Sequence, residues 1–240
     1  MVAFIFFDDR EVIMFLFVID KVIINLFVYL KEKEKMKGRQ DLIKITMFST
    51  LLLVLLYAVF FMWLDIPIST WMQQAFAKTA LFSVCYYINK FFRPEMWVVL
   101  AIIVALIGYF SKAKKQQKSY YLFSGSIILA YIVCAILKFV FGRYRPIEYF
   151  NNHLYGFHFF SFSHNMTSTP SGAGTMAFAG LFALATIFNK RYMTIILLLL
   201  ATLIGIARII ILDHYVSDIL FGAYVGILAV LWTQKRLKIN

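Results

Sequence analysis

Charged residues are scarce in this chain. Asp, Glu, Lys and Arg make up 15% of its 240 residues, against about 25% in a typical soluble domain. Hydrophobic residues account for 62% of the sequence, and apolar runs near the roughly 20 residues needed to cross a bilayer recur through it. The scarcity of charge excludes a soluble globular domain and predicts an all-α, polytopic integral membrane protein.

The sequence also has few features of secreted proteins. Its two cysteines, Cys85 and Cys134, both lie in apolar surroundings, so no disulfide framework is expected. Asp8 and Asp9 fall within the first ten residues, and no small-residue cleavage site follows, so we expect no secretory signal peptide. No internal repeat and no low-complexity tail is recognisable.

Six apolar segments are predicted to cross the membrane. They cover residues 42–64, 95–110, 120–141, 171–188, 192–212 and 217–233. Residues 66–92 mix apolar and polar side chains, and we expect short helices lying on or dipping into the outer face. The predicted organisation is an N-terminal segment 1–40, a six-helix membrane domain 42–233 and a tail 234–240.

Residues 12–30 allow two interpretations. They are apolar apart from a few polar positions that include Asp20 and Lys21. They form either a seventh span or a helix lying at the cytoplasmic interface. An Asp–Lys pair near the middle of a span is costly, which favours the interfacial helix.

The formal net charge of +12 lies mostly in short basic blocks between apolar runs. The blocks are 31–39, 112–118, 190–191 and 235–238. If the spans alternate, all four lie on one face, which the positive-inside rule makes cytoplasmic. The charge therefore indicates topology in an inner (cytoplasmic) membrane and not nucleic-acid binding. Residues 147–170 contain no Lys or Arg, as expected of an exterior loop.

Three short motifs at the ends of apolar segments can form one phosphate site on the outer side. The first is Lys138-x6-Arg145-Pro146. Its two cations are seven residues apart and share a helix face if the helix continues to Pro146. Charges at a membrane edge are functional candidates, and the alternative is that they snorkel to the interface.

The second motif, Pro170-Ser171-Gly172, opens the fourth predicted span. Proline suits the first turn of a helix, and Gly172 allows a close approach of the backbone. Helix N-termini offer free N–H groups and a positive dipole end to a phosphate. The alternative is an ordinary helix start.

The third motif is Arg208-x5-His214-x3-Asp218. The last two residues are one helical turn apart, which allows the carboxylate to orient the imidazole. An oriented imidazole has one defined lone pair, which can attack phosphorus and form a phosphohistidine. The basic side chains of the first and third motifs can neutralise the phosphoryl oxygens. For His214 taken alone, a structural histidine is the alternative.

Together these motifs resemble the three signatures of the type 2 phosphatidic acid phosphatase superfamily. The resemblance covers roughly residues 42–233 and implies a six-helix membrane enzyme that dephosphorylates lipid phosphates or pyrophosphates without a metal ion. It implies that His214 is the nucleophile and that Asp218 orients it. The implied phosphate-binding residues are Lys138, Arg145, Pro146, Ser171, Gly172 and Arg208. No cofactor is implied, and the implied partners are a phosphorylated lipid and the bilayer.

Two positions depart from the family pattern. Ala207 replaces a serine before Arg208, and Ala173 replaces the histidine that follows Pro-Ser-Gly. In the family that histidine resembles a general acid for the leaving alcohol, and loss of such an acid typically costs about 10²–10⁴-fold in rate. Three accounts of Ala173 are open. It is an engineered replacement, or a natural member that binds without turnover, or another histidine stands in. The candidates for that last role are His153, His158 and His164.

The sequence thus predicts a membrane lipid phosphatase, slowed or inactivated by Ala173, whose site faces the exterior. Candidate substrates are phosphatidylglycerophosphate, phosphatidate, undecaprenyl diphosphate and the 1-phosphate of lipid A. One alternative is a non-catalytic binder or carrier of phosphorylated lipids. Another is a channel or transporter, which would need polar residues in mid-membrane, whereas the third to sixth spans carry their charges at the ends.

Overall fold

The computed structural model describes residues 39–238 of the chain, and within that range it contains nine α-helices and no β-strand. The helices are α1 Arg39–Val59, α2 Asp65–Phe76, α3 Ala80–Phe91, α4 Pro94–Phe110, α5 Lys114–Phe141, α6 Pro146–Asn152, α7 Gly172–Phe188, α8 Arg191–Ile210 and α9 Val216–Leu237. The predicted all-α fold class is confirmed. The predicted helix at 12–30 lies outside the described residues.

Five stretches are long and apolar enough to cross a membrane: Thr46–Phe76, Ala80–Phe110, Lys114–Phe141, Arg191–Ile210 and Val216–Leu237. Helix α7 is also apolar but has 17 residues. It is short for a span because roughly 20 helical residues are needed to cross the hydrocarbon core. The chain is thus a multi-pass membrane protein, in which α7 is the short member of the six predicted spans.

The first predicted span ends at residue 64, but the helical path continues beyond it. A π-helical turn, Phe60–Leu64, leads directly into α2. Pro67 lies in the first turn of α2, where its missing N–H is tolerated. The helix therefore does not end near residue 64, and Asp65 is buried inside the helical core.

Helix α5 ends earlier than the shared face of the first motif requires. Gly142 adopts a left-handed conformation, with φ of 51°, and its N–H bonds to the Lys138 carbonyl at 3.0 Å. This is a helix C-cap that favours glycine. The condition for a shared helix face is not met, because the chain leaves the helix at Gly142, between Lys138 and Arg145.

Helix α7 occupies the centre of the bundle, with α5, α8 and α9 packed around it. Most of its residues are buried, and many are Gly or Ala, which lets neighbouring helices approach closely. Gly222 and Gly226 of α9 face the α7 backbone, where an added Cβ would meet main-chain atoms at 3.0 Å or less. This close contact sets the start of α9 beside the start of α7.

Candidate active site

His214 lies in the short connection between α8 and α9. Its N–H and that of Asp213 both point back to the carbonyl of Arg208, at 3.4 and 3.0 Å. Helix α9 begins at Val216, so the expectation that one helical turn joins His214 to Asp218 is wrong. The two side chains meet by a different route. Asp218 caps its own helix by accepting from the Tyr215 N–H at 3.0 Å, which folds the carboxylate back toward the connection.

The imidazole of His214 faces Asp218 through one nitrogen. Nδ1 lies 3.6 Å from Asp218 Oδ2, and the Ser168 hydroxyl contacts both atoms, at 3.3 Å from Nδ1 and 2.5 Å from Oδ2. A nitrogen beside a carboxylate carries the proton, so Nε2 keeps the lone pair. Burial, together with the charge of Arg145, lowers the pKa of His214 to about 3. The arrangement holds a neutral, oriented imidazole.

A fully buried group of charges surrounds Asp218, the carboxylate that faces His214. We call Asp65, Arg143 and Asp218 the Arg143 cluster. The guanidinium lies 2.7 Å from Asp65 Oδ2 and 2.6 Å from Asp218 Oδ1, and all three side chains are 0% exposed. Asp65 also accepts from the N–H and hydroxyl of Ser217 at 3.1 and 2.5 Å. Thr169 donates a further hydrogen bond to Asp218 Oδ1.

Aromatic rings enclose the guanidinium of Arg143. Its carbon lies 4.3–5.7 Å from the ring centres of four residues, Tyr57, Phe61, Tyr155 and Tyr215. A desolvated guanidinium is stabilised by ring faces and by paired carboxylates. Burial by itself favours the neutral form, but the two carboxylates raise the pKa of Arg143, so it remains charged.

A second charged group lies near His214. We call it the cation cluster, and it consists of Lys138, Arg145, Arg208 and Asp213. Arg145 forms an ion pair with Asp213 Oδ1, and Arg208 Nη2 lies 2.6 Å from Asp213 Oδ2. Lys138 Nζ donates to the Thr167 carbonyl at 2.5 Å. Three cations and one carboxylate give this cluster an excess of positive charge, which suits an anionic group.

The cations reach the cluster from three elements. Lys138 is in the last turn of α5, and Arg208 is in the last turn of α8. Arg145 precedes Pro146, the first residue of α6, and its Nε donates to the His164 carbonyl at 2.8 Å. Three helix ends therefore place the three predicted phosphate ligands near one another.

The Pro-Ser-Gly motif forms the start of α7, as predicted. The Ser171 hydroxyl caps the helix by accepting from the Gly174 N–H at 3.3 Å. The Ser171 N–H donates to the Asp218 carbonyl at 3.0 Å, which ties α7 to α9. An added Cβ on Gly172 would lie 2.9 Å from the Pro94 ring and 3.5 Å from Lys138 Cε, so glycine permits this close packing. Ala173 is completely buried in the same turn.

The three histidines considered as substitutes for the one missing at position 173 differ in what they contact. His153 is the C-cap of α6, and the His158 N–H bonds to the Gly142 carbonyl at 2.6 Å. His164 contacts a predicted phosphate ligand, because its carbonyl holds Arg145. The charge of Arg145 and partial burial lower the pKa of His164. Of the three, His164 is the histidine that borders the cation cluster, but the lowered pKa leaves little of its imidazole protonated at neutral pH, which weakens it as a proton donor.

Several residues of this region did not emerge as site residues from the sequence. Asp65 directly follows the first predicted span, and Arg143 lies within the first motif at a position that the motif does not specify. Ser168 and Asp213 had no motif to identify them. The available signal was a lone carboxylate at the end of an apolar run, since an intramembrane Asp needs a partner.

Among the described residues, no group of three or more His, Cys, Asp or Glu side chains is arranged to hold a metal ion. The donors around His214 are cations and hydroxyls, a set that favours an anion such as phosphate.

Comparisons with known proteins agree with this architecture. A model of the PAP2 superfamily matches residues 119–238, which include all three motifs. A transmembrane PAP2-type phosphatidylglycerolphosphate phosphatase from Bacillus subtilis has a similar fold, with a TM-score of 0.52 and 18% sequence identity. The match covers 80% of this chain and 95% of that one. No curated protein sequence matches the chain.

Proposed function

The chain belongs to the PAP2 superfamily, and we propose that it is a membrane lipid phosphatase that works through a phosphohistidine at His214. The observation that carries this proposal is the arrangement around His214. Its Nδ1 lies 3.6 Å from the Asp218 carboxylate, Arg145 and Lys138 lie near enough to lower its pKa, and the adjacent residue Asp213 pairs with Arg145 and Arg208. A purely structural histidine does not require that arrangement.

The proposed first step is in-line transfer of the phosphoryl group to His214. The Nε2 lone pair forms the N–P bond while the bond from phosphorus to the lipid oxygen breaks. Lys138, Arg145 and Arg208 neutralise the phosphoryl oxygens as charge shifts among them. Asp218 and Ser168 hold the Nδ1 proton and stabilise the imidazole as it becomes positive. Water then attacks phosphorus, and a new O–P bond forms as the N–P bond to His214 breaks. The proton lost by water remains on the released inorganic phosphate, and His214 returns to its neutral form with the proton on Nδ1.

The leaving oxygen needs a proton, and Ala173 cannot supply one. The proton comes from water or from His164, whose carbonyl holds Arg145. The rate should therefore depend steeply on how readily the leaving group departs without protonation. Aryl phosphates and diphosphates should be cleaved much faster than alkyl phosphates such as phosphatidate.

A leaving-group series tests the proposal directly. We expect the chain to cleave p-nitrophenyl phosphate, which needs no acid, and to cleave phosphatidate slowly. Ala173→His should raise the phosphatidate rate by at least about 10²-fold with little change in binding. His214→Ala should abolish cleavage of both substrates. Aryl phosphate cleavage that survives His214→Ala would rule out the proposed nucleophile.

His164→Asn extends the same series to the proton donor. If His164 supplies the proton, this change slows phosphatidate cleavage and leaves p-nitrophenyl phosphate unaffected. Equal effects on both substrates would assign His164 to positioning Arg145 instead.

The substrate class we propose is a lipid with a terminal phosphate or diphosphate. Phosphatidylglycerophosphate, phosphatidate, undecaprenyl diphosphate and the 1-phosphate of lipid A form the panel to be assayed. Ala173 favours a second candidate function, a binder of phosphorylated lipids without turnover. If neither the chain nor Ala173→His releases phosphate from any substrate, yet both bind phosphorylated lipids, the binder is the better description.

We further propose that the site faces the exterior side of a cytoplasmic membrane. Helix α5 carries basic residues at its start, and α9 carries Lys235 and Arg236 in its last turn. Lys138 and Asp218 lie at the opposite ends of the same helices. Since the positive-inside rule assigns the basic ends to the cytoplasm, the site falls on the other side.

Thiol labelling in intact cells tests this orientation. Both native cysteines are buried and can be replaced by serine. A membrane-impermeant reagent should label Asn152→Cys from outside and should not label Gln116→Cys until the cells are opened. External labelling of Gln116→Cys would reverse the proposed orientation.

A further inference from the structure

Asp213 holds both arginines of the cation cluster at once. Each of its two carboxylate oxygens accepts from a different guanidinium, Arg145 through Oδ1 and Arg208 through Oδ2. Its side chain is 19% exposed, whereas those of Arg145 and Arg208 are 6% and 9% exposed. The carboxylate is thus the most accessible charge of this trio and the immediate neighbour of His214.

The contacts that Asp213 makes are those that a phosphoryl group would need. A guanidinium binds phosphate and carboxylate oxygens through the same N–H donors, so a phosphoryl group can take the place of the Asp213 carboxylate. We propose that Asp213 competes with the substrate's phosphate for Arg145 and Arg208, and so weakens phosphate binding and speeds the release of the phosphate product. This inference rests on the proposed function, because it takes the two arginines as phosphate ligands.

The backbone around Asp213 allows this exchange. Its N–H is held by the Arg208 carbonyl at 3.0 Å, and its own carbonyl accepts from Arg145 Nη1 at 3.0 Å. The main chain therefore stays in place while the side chain turns toward solvent. Arg145 keeps its bonds to the Asp213 and His164 carbonyls during that turn, so it remains oriented toward the site.

Arg208 has spare donor capacity for an incoming anion. Its Nε is buried and finds no acceptor among residues 39–238. A buried donor without a partner is costly, and a phosphoryl oxygen could satisfy it where the carboxylate of Asp213 does not. A phosphate can therefore gain a contact on Arg208 when it displaces Asp213.

Asp213 competes as an anion throughout the physiological pH range. Burial by itself would raise the pKa of Asp213, but His214, Arg145 and Arg208 hold it well below its usual range. The carboxylate does not leave the arginines by protonation. It leaves when a more highly charged group replaces it, which makes the site selective for terminal phosphates, which carry up to two negative charges, over phosphodiesters, which carry one.

The experiment measures inorganic phosphate binding to the full chain and to Asp213→Asn, by isothermal titration in detergent at low ionic strength. The asparagine keeps the shape and removes the charge. We expect phosphate to bind roughly ten- to a hundredfold more tightly to Asp213→Asn, since a unit charge a few ångströms away is removed. Glu148→Gln is the matched control. Glu148 contacts Asn152 and Asn165 at 2.7 Å, and we expect its loss to leave phosphate binding unchanged.

The result that would overturn the inference is equal or weaker phosphate binding by Asp213→Asn, which would make Asp213 a positioning residue for the arginines. Thermal melting checks that the variant is folded, and Asp213→Ser is the second variant if the asparagine is not. A separate outcome bears on the proposed function. If Arg145→Ala and Arg208→Ala cleave p-nitrophenyl phosphate as well as the unaltered chain, the arginines are not phosphate ligands and the proposed function fails.

Discussion

The Arg143 cluster and the cation cluster both lie near the His214 imidazole, but they differ in the sign of their excess charge and in the exposure of their side chains. In the Arg143 cluster two carboxylates share one guanidinium, and every side chain is 0% exposed. In the cation cluster two arginines share one carboxylate and Lys138 adds a third positive charge, and the side chains in its ion pairs are 6–19% exposed. His214 therefore faces a cluster with excess negative charge through Asp218 and lies near a cluster with excess positive charge.

This difference assigns separate tasks to two arginines that are two residues apart in the sequence. Arg143 is fully enclosed, so its removal would leave buried carboxylates unpaired, which is strongly destabilising. The Arg145 side chain is 6% exposed, and that of its partner Asp213 is 19% exposed. The excess negative charge of the Arg143 cluster also suits a histidine that becomes positive when phosphorylated. The excess positive charge of the cation cluster suits the phosphoryl group that the histidine receives.

The largest expected effect comes from removing the carboxylate of Asp218, which contacts His214. In an Ala173→His background, Asp218→Asn should lower kcat/KM on phosphatidate by roughly 10³–10⁴-fold, because the imidazole loses its orientation and its compensating charge. KM should change little, since the cation cluster is untouched. A change confined to KM would place Asp218 among the phosphate-binding residues instead.

Replacing Arg143 or Arg145 by glutamine tests whether the two clusters differ in their contributions to stability and to activity. Arg143→Gln should lower the free energy of unfolding by about 3–5 kcal/mol, measured by chemical denaturation in detergent. Adding Asp65→Asn to Arg143→Gln should recover part of this loss, since one unpaired carboxylate is removed. Arg145→Gln should lower stability less and phosphatase activity more. Equal stability losses for the two arginines would show that the clusters do not differ as described.

A smaller effect follows from the buried, neutral state of His214. Its pKa of about 3 in the folded chain is below the ordinary value near 6.5. Its contribution to stability is therefore fully present above pH 6.5 and is lost as the pH falls toward 3. By pH 5 the free energy of unfolding should drop by roughly 2 kcal/mol relative to His214→Gln. A difference between the two proteins that does not vary from pH 7.5 to 5 would contradict a neutral His214.

The smallest expected effect is that of chelation. The cation cluster supplies positive charge from side chains, so we expect EDTA to leave phosphatase activity unchanged. Inhibition by EDTA that Mg²⁺ reverses would show that the three cations do not suffice.

Much of the architecture follows from composition and pattern. The apolar runs predicted the all-α membrane fold, and the motif spacing predicted the superfamily; both are confirmed. The boundaries of elements were less predictable. Gly142 ends α5 before Arg145, and a π-helical turn carries the first helix past residue 64. Such boundaries depend on local backbone geometry, which hydrophobic pattern does not specify.

The roles assigned to Lys138, Arg145, Arg208, His214 and Asp218 remain predictions, because motif spacing indicates which residues act but not how they contact one another. Hydrophobicity and residue type are local properties. The sequence alone therefore identified the lipid bilayer as the environment of the chain, and it located the three motifs that are predicted to form the phosphate site. Tertiary structure alone decided that Asp65 pairs with Arg143 and that Asp213 bridges two arginines. Ion pairs between residues far apart in the sequence depend on which helix ends meet in the folded protein. The packing of the helices around α7 decides which ends meet.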